Sequence, residues 1–227
     1  PMFKFFTISL LVILSQNSFA KSCADLPNHD AVKKALIEVR NQENGGFNLD
    51  MWATVVDRSG TVCVVAMSGS KEDSQWPGSR VISAQKANTA NAFSLPGLAL
   101  STANLYAAVQ PGGSLFGLQE SNPVNPALAY KGDSKNFGSK KDPMVGERIG
   151  GVNVFGGGLA LYNSKGEILG GIGLSGDSSC ADHNIAWKLR NKLNLDYVPN
   201  GVSPTKDDQI IYDIQSGKSS GGFGHAN

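Results

Sequence analysis

The sequence predicts an α+β fold in which an antiparallel sheet is flanked by helices, and three observations carry that expectation. Two pairs of apolar or β-branched runs are each joined by a short polar turn, the pattern of antiparallel hairpins. Around them lie stretches with the three-to-four-residue apolar spacing of helices. Glycine accounts for 27 of the 227 residues, more than a helical bundle uses, and calls for tight turns and close backbone approaches.

In chain order, Asn28 or Asp30 caps a helix that runs to about Asn44, with Val32, Leu36, Ile37 and Val39 inward, and Asn44-Gly45-Gly46 stops it. Trp52–Asp57 and Thr61–Met67, joined through Arg58-Ser59-Gly60, form the first hairpin. Ser79–Phe93 reads as a helix of mostly small residues, so something packs closely against it. Leu95-Pro96-Gly97 breaks it, and Leu98–Val109 is expected to form another helix. Residues 110–147 are rich in Gly, Pro, Asn and Ser, and a connection this long is either functional or mobile. Gly158–Tyr162 and Glu167–Leu174 make the second hairpin about Asn163–Gly166. Ser178 or Ser179 caps a last helix, Cys180 to about Leu193. Beyond it lies a tail whose one apolar patch is Ile210-Ile211-Tyr212.

Composition narrows the function. Hydrophobic residues at 41% and charged ones at 17% supply a core and exclude wholesale disorder. Twenty basic against 19 acidic residues leave no basic field to gather phosphates, which argues against nucleic acid as a partner. Lys4, the apolar run Phe5–Leu14 and the small-residue site Ser18-Phe19-Ala20 have the layout of a secretory leader, cut after Ala20. The organisation expected is therefore a signal peptide over 1–20, a single domain over 21–200, and a tail over 201–227 that is flexible from about 215. The destination expected is periplasmic or secreted. No other stretch is long and apolar enough to span a bilayer, so no stable membrane insertion is expected. Three cysteines in an oxidising compartment permit one disulfide. Cys63 lies mid-strand and Cys180 starts a helix; Cys23 can reach either or pair between subunits. Without a C-x-x-C spacing, the three cysteines do not suggest a metal centre.

Several motifs invite chemistry. Gly171–Gly176 matches G-x-G-x-x-G, but its strand is half of a hairpin and Asp196 follows the last helix directly. A dinucleotide site needs that acid at the end of a second parallel strand. The glycines instead let a helix or ligand approach the strand. No G-x-S-x-G elbow exists for serine hydrolysis. Of the histidines, His225 lies in the tail and His29 near a helix cap. Asp182-His183 is either an orienting pair or a first-turn acid beside a surface imidazole. On the helix Ser79–Phe93, Ile82, Lys86, Thr89, Ala90 and Phe93 share a face. A lysine there either meets a ligand anion, or snorkels to water, or pairs with a protein acid.

These residues together carry a resemblance. Trp52–Asp57 with Gly60, the Ser83–Ala90 segment SAQKANTA, Gly157-Gly158, and Gly171–Gly176 with Asp182 form an ordered set over roughly residues 30–194. It resembles the GlcG/HbpS-like heme-binding family, also found as the C-terminal domain of PduO-type proteins. The resemblance implies a profilin-like fold of α-β-α layers, homo-oligomers, and binding of heme or another tetrapyrrole. It implies a ligand site drawn from Lys86, Asn88, Thr89, Gly157, Gly158 and Asp182, with Lys86 holding a propionate. His183 becomes a candidate ligand of the heme iron, with Tyr106, Tyr130, His29, Met67 and Thr89 as further candidates. The chain departs from the family pattern in its longer middle (Leu98–Glu147), its cysteines, and His183 where many relatives carry an acid.

The resulting expectation is an exported heme-binding protein, non-enzymatic, that carries heme or serves as an accessory sensor in redox or iron stress. Two rival expectations are an enzyme on a small hydroxy acid or aldehyde, with Lys86 and His183 in its pocket, and a ligand-free assembly domain.

Overall fold

The two hairpins are joined into one sheet by their inner strands. A computed structural model describes residues 22–215, 218, 219 and 225; the expected leader over 1–20 lies outside them. Strands β1 (Trp52–Asp57), β2 (Val62–Met67), β3 (Gly158–Tyr162) and β4 (Ile168–Ser175) lie in the order β2-β1-β4-β3, every neighbour antiparallel. Val55 stands opposite Val64 on one side and Ile172 on the other. Helix α1 (His29–Arg40) and helix α6 (Ser179–Lys192) cover one face, and helix α2 (Ser79–Phe93) lies on the other. The α+β class and the profilin-like α-β-α layering are thus as expected.

Side chains alternate as a pleated sheet requires. Ala53, Val55, Leu159, Leu161, Ile172 and Leu174 meet Val32, Leu36 and Val39 of α1 and Ile185 and Leu189 of α6 in the larger apolar cluster. The opposite face of β4 carries no side chains at Gly171 and Gly173, and α2 rests directly on it. A Cβ at Gly173 would collide with the carbonyl of Ser83 and lie 2.5 Å from the amide of Ala87. The glycines of G-x-G-x-x-G therefore seat a helix, the first of the two uses expected of them.

Three local expectations change. α1 ends at Arg40, because the Asn44 side chain folds back to donate to the carbonyls of Val39 and Arg40, and Ile37 is partly exposed. The expected helix Leu98–Val109 is only α3 (Thr102–Leu105) followed by a 3₁₀ turn, Ala107–Val109. Ser101 caps it by accepting from Asn104, so the helix starts late. Residues 110–157 hold the short helices α4 (Leu118–Ser121) and α5 (Pro126–Ala129) and are pinned to α2 by a buried cation. Arg80 donates to both carboxylate oxygens of Asp142 and to the carbonyl of Ala129, with its guanidinium stacked 3.7 Å over Phe137.

Cys23 bonds to Cys63, and Cys180 is the free thiol. The tail returns along α6: Asp208 accepts two hydrogen bonds from Arg190 and is fully buried. Further on, β5 (Ile214–Gln215) pairs with β6 (Lys218–Ser219). His225, expected on a free tail, is buried with its Nε2 2.7 Å from the Ala103 carbonyl. No helix among the described residues is long and apolar enough to cross a membrane.

Candidate functional site

The three layers are tied together where β4 ends. Lys86, midway along α2, extends past Gly157 and donates to the carbonyl of Leu174 (3.0 Å) and to Asp182 Oδ2 (2.7 Å) in the first turn of α6. The other carboxylate oxygen, Oδ1, accepts from the amide of Asp177 (2.9 Å). Both side chains are buried, and burial moves both toward neutrality: it lowers the Lys86 ammonium, and it pushes Asp182 up to about 6 against the pull of Lys86. Gly157 makes room for the pair. Its φ is +119°, and a Cβ there would lie 3.0 Å from Asp182 Cβ and 3.3 Å from Lys86 Nζ. At Gly158 a methyl would strike Thr102 and the backbone of α2.

The ion pair forms the floor of a cavity of about 240 Å³, walled by Trp76, Ile82 and Phe155 and edged by Ser79, Ser175 and Ser179. Trp76 and Phe155 are half exposed, so the cleft presents aromatic surface to its mouth. Phe155 also borders a second depression of about 410 Å³ with Tyr106, Val109, Phe116 and Val154. Tyr106 packs between Phe155 (ring centroids 6.4 Å apart) and His225 (5.4 Å).

The structure brings Lys86, Gly157 and Asp182 together, and of the three fates open to Lys86 it selects pairing with a protein acid. It sets the other expected residues apart. Asn88 donates to the carbonyl of Gly151. Thr89 donates to Gln85 and accepts from the amide of Asn153. Both anchor the segment that carries Phe155. The role of heme-iron ligand for His183 is corrected. Its ring is buried against Trp187, and Nε2 accepts from the Ile210 amide at 3.0 Å, which puts the ring proton on Nδ1. Burial holds it neutral, down at about 4. An imidazole sealed under the tail with its lone pair engaged has nothing to offer iron.

Two more candidates for the iron are engaged by backbone groups: Thr89 by Gln85 and Asn153, and His29 by the Gly138 carbonyl at 2.9 Å. Met67 packs beneath Gly138, and Tyr130 is exposed beside α5, away from both depressions. Tyr106 alone of the named set lines a depression next to the cleft. Sequence reasoning missed Arg80, Asp142 and the aromatic walls Trp76 and Phe155. The one available signal was a cation at position 80, on the same stripe as Ser83, Ala84 and Ala87.

These features define a class: a three-layer α-β-α protein with an aromatic-walled cleft at one end of its sheet, floored by a buried ion pair. The model of the family described as "Haem degrading protein HbpS-like" matches residues 28–189, and the chain belongs to that family. Among solved structures, the chain is similar to PduOC in its complex with heme, at 25% identity over 73% of this chain and 91% of that one, with a TM-score of 0.51. It is also similar to the Klebsiella pneumoniae protein ORFY (24% identity, 72% and 83% coverage, TM-score 0.46) and to HbpS (18%, 74% and 90%, 0.45). No curated protein matches the chain.

Proposed function

We propose that this protein binds heme or a related tetrapyrrole, outside the cytoplasm, as a carrier or accessory sensor. The observation that carries the reading is the shared fold with PduOC, whose structure holds heme, at 25% identity across nearly all of that chain. The cleft supports it. A cavity of about 240 Å³ is small for a ligand of this size, since pockets for such ligands run from roughly 300 Å³ upward. The macrocycle therefore extends over Phe155 toward the Tyr106 depression, with aromatic surface beneath it. Tyr106 is the axial ligand we favour, a phenolate being an established partner of heme iron. Lys86 is committed to Asp182, so it acts by holding the cleft floor, and a propionate reaches it only by displacing that carboxylate. Export is supported by the leader-like residues 4–20 and by the Cys23–Cys63 disulfide. Homo-oligomerisation fits the exposed Trp76, Phe116 and Phe155 as shared surface.

The test is a hemin titration of the chain from Lys21 onward. A saturable, red-shifted Soret band at about one heme per chain is expected, and a featureless titration overturns the reading. Tyr106→Phe should change the spectrum of the bound heme, and Phe155→Ala should weaken binding about tenfold, roughly 1.4 kcal/mol. An unchanged spectrum in Tyr106→Phe removes that residue as ligand. Fractionation of expressing cells tests export.

A further inference from the structure

The disulfide joins two elements remote in sequence and brings a third ligating group with it. Cys63 Sγ, Cys23 Sγ and a carboxylate oxygen of Asp57 lie within 4.8 Å of one another. Asp57 closes β1 and turns the chain into β2. Its Oδ1 accepts from the amides of Ser59 and Thr61, both at 2.9 Å, which fixes the carboxylate and leaves Oδ2 unused by the turn. The residue is only 8% exposed, yet among the described residues no Lys, Arg or His stands within ion-pair distance of it. A buried carboxylate that borders two sulfurs and lacks a counter-ion is chemistry suited to a cation.

We propose that the Cys23–Cys63 pair and Asp57 form a redox-gated site for a thiophilic divalent metal, zinc by its ligand chemistry. In the oxidised protein the sulfurs are bonded to each other and the site is closed. A dithiol reductant donates two electrons and two protons, breaks the Cys23–Cys63 bond and leaves as its own disulfide. Zinc then displaces the two thiol protons and takes two thiolates, Asp57 Oδ2 and one water in a tetrahedral set. Reoxidation by a disulfide re-forms Cys23–Cys63: the two thiolates give up two electrons, the oxidant takes them with two protons from water and leaves as a dithiol, and the metal is released to solvent. Zinc–sulfur bonds of about 2.3 Å and zinc–oxygen bonds of about 2.1 Å hold the three ligand atoms roughly 3.5–3.8 Å apart. Cys63 and Asp57 are fixed in the hairpin, so Cys23 must make the adjustment. It opens a one-turn 3₁₀ segment, Cys23–Asp25, none of whose residues is buried, ahead of α1.

The inference is independent of the heme reading and is tested on heme-free protein. Protein reduced with a phosphine and freed of it is titrated with cobalt(II), whose thiolate charge-transfer and tetrahedral ligand-field bands report the ligands. One cobalt per chain in reduced protein, none in oxidised protein, and release by zinc are expected. Asp57→Asn should weaken binding about tenfold or more, Cys23→Ser should abolish the charge-transfer band, and Cys180→Ser should leave it unchanged. Equal binding by oxidised and reduced protein overturns the proposal, as does a band that survives Cys23→Ser or an affinity indifferent to Asp57→Asn. Should Cys23→Ser fail to fold, alkylation of the reduced wild type decides. Zinc should slow modification of Cys23 and Cys63 relative to Cys180, and equal rates for all three overturn it.

Discussion

The two faces of the sheet are packed differently. The α1/α6 face is conventional: Val, Leu and Ile from two helices interdigitate with Val55, Leu159, Leu161, Ile172 and Leu174. Where it crosses β4, the α2 face replaces side chains by proximity. Gly171 and Gly173 let the helix backbone rest on β4, Val81, Ala84 and Ala87 meet Trp52, Val56 and Val65 in a smaller apolar cluster, and polar pairs are set among them. Thr54 bonds Ser83 (2.7 Å), Arg58 holds Asn91 and the Ser94 carbonyl at the end of α2, Arg80 takes Asp142, and Lys86 takes Asp182. Apolar burial is non-directional and tolerates rearrangement; buried charges hold one geometry and fail steeply when a partner is lost. The cleft sits on the second kind of face, where positions are specified most tightly.

The largest effect should come from splitting a buried pair. Lys86→Met leaves Asp182 buried without its cation, and Asp182→Leu does the converse. Each should lower stability by about 3–5 kcal/mol in urea unfolding. The double variant should recover most of the loss, giving a coupling energy of the same order in a double-mutant cycle. Additive losses would mean that the two groups do not depend on each other, and the contrast between the faces would collapse.

Next in size is one added methyl. Gly173→Ala pushes Cβ into the backbone of Ser83 and Ala87, which cannot yield as a side-chain tip can, and should cost about 3 kcal/mol. Ile172→Val, on the neighbouring residue facing the apolar cluster, should cost only about 0.5–1.5 kcal/mol. If the methyl at Gly173 proves the milder change, α2 is not seated on the backbone as described.

Adjacent residues of α6 make the same comparison with protons. Asp182, facing Lys86, is pushed up to about 6, so its contribution improves as pH falls below that value. His183, facing the tail, is held down at about 4 by burial, with Asp208 the favourable charge and Arg190, His225 and Lys86 opposing protonation. Its neutral form bonds Ile210, so its contribution is complete above about 6.5. It is lost as pH falls from there toward 4, because the unfolded chain takes up the proton first. The two trends oppose each other in the wild type, and His183→Gln separates them. The stability difference between wild type and that variant should shrink by about 3 kcal/mol between pH 7 and pH 4. A difference constant with pH would mean that His183 is not buried in its neutral form.

The sheet was legible because hairpins write themselves locally, in Trp52–Asp57, Val62–Met67 and the Asn163–Gly166 turn. The bounds of α2 were also legible, and so was the use of Gly171 and Gly173, since small residues on a helix and glycines on a strand are complementary signals. The family motifs brought Lys86, Gly157 and Asp182 together. What escaped was long-range and unsigned. Asp142 lies 62 positions from Arg80, in a segment with no periodicity. The partner that disqualifies His183 is a backbone amide, and every residue except proline has one. The choice of Cys63 over Cys180 depends on where the N-terminal segment crosses the sheet, which no local pattern encodes.

The smallest effect concerns how the helices of the two faces begin. On the apolar face, α1 is capped by Asn28, whose side chain accepts from Ala31, and α6 by Ser178, which accepts from the amide of Ala181. α2 starts at Gly78 with no side-chain cap. It needs none, because Arg80, Ser83 and Lys86 anchor its first two turns to other elements. Asn28→Ala should therefore cost about 1 kcal/mol. Gly78 already has helical angles, φ −61° and ψ −25°, and a Cβ there meets nothing within 4 Å. Gly78→Ala should then stabilise by about 0.4–1 kcal/mol, by narrowing the unfolded ensemble. A loss in thermal or urea unfolding would mean that the turn from Trp76 into α2 relies on glycine's freedom. The aromatic wall of the cleft would then move with the start of the helix instead of standing rigid beside it.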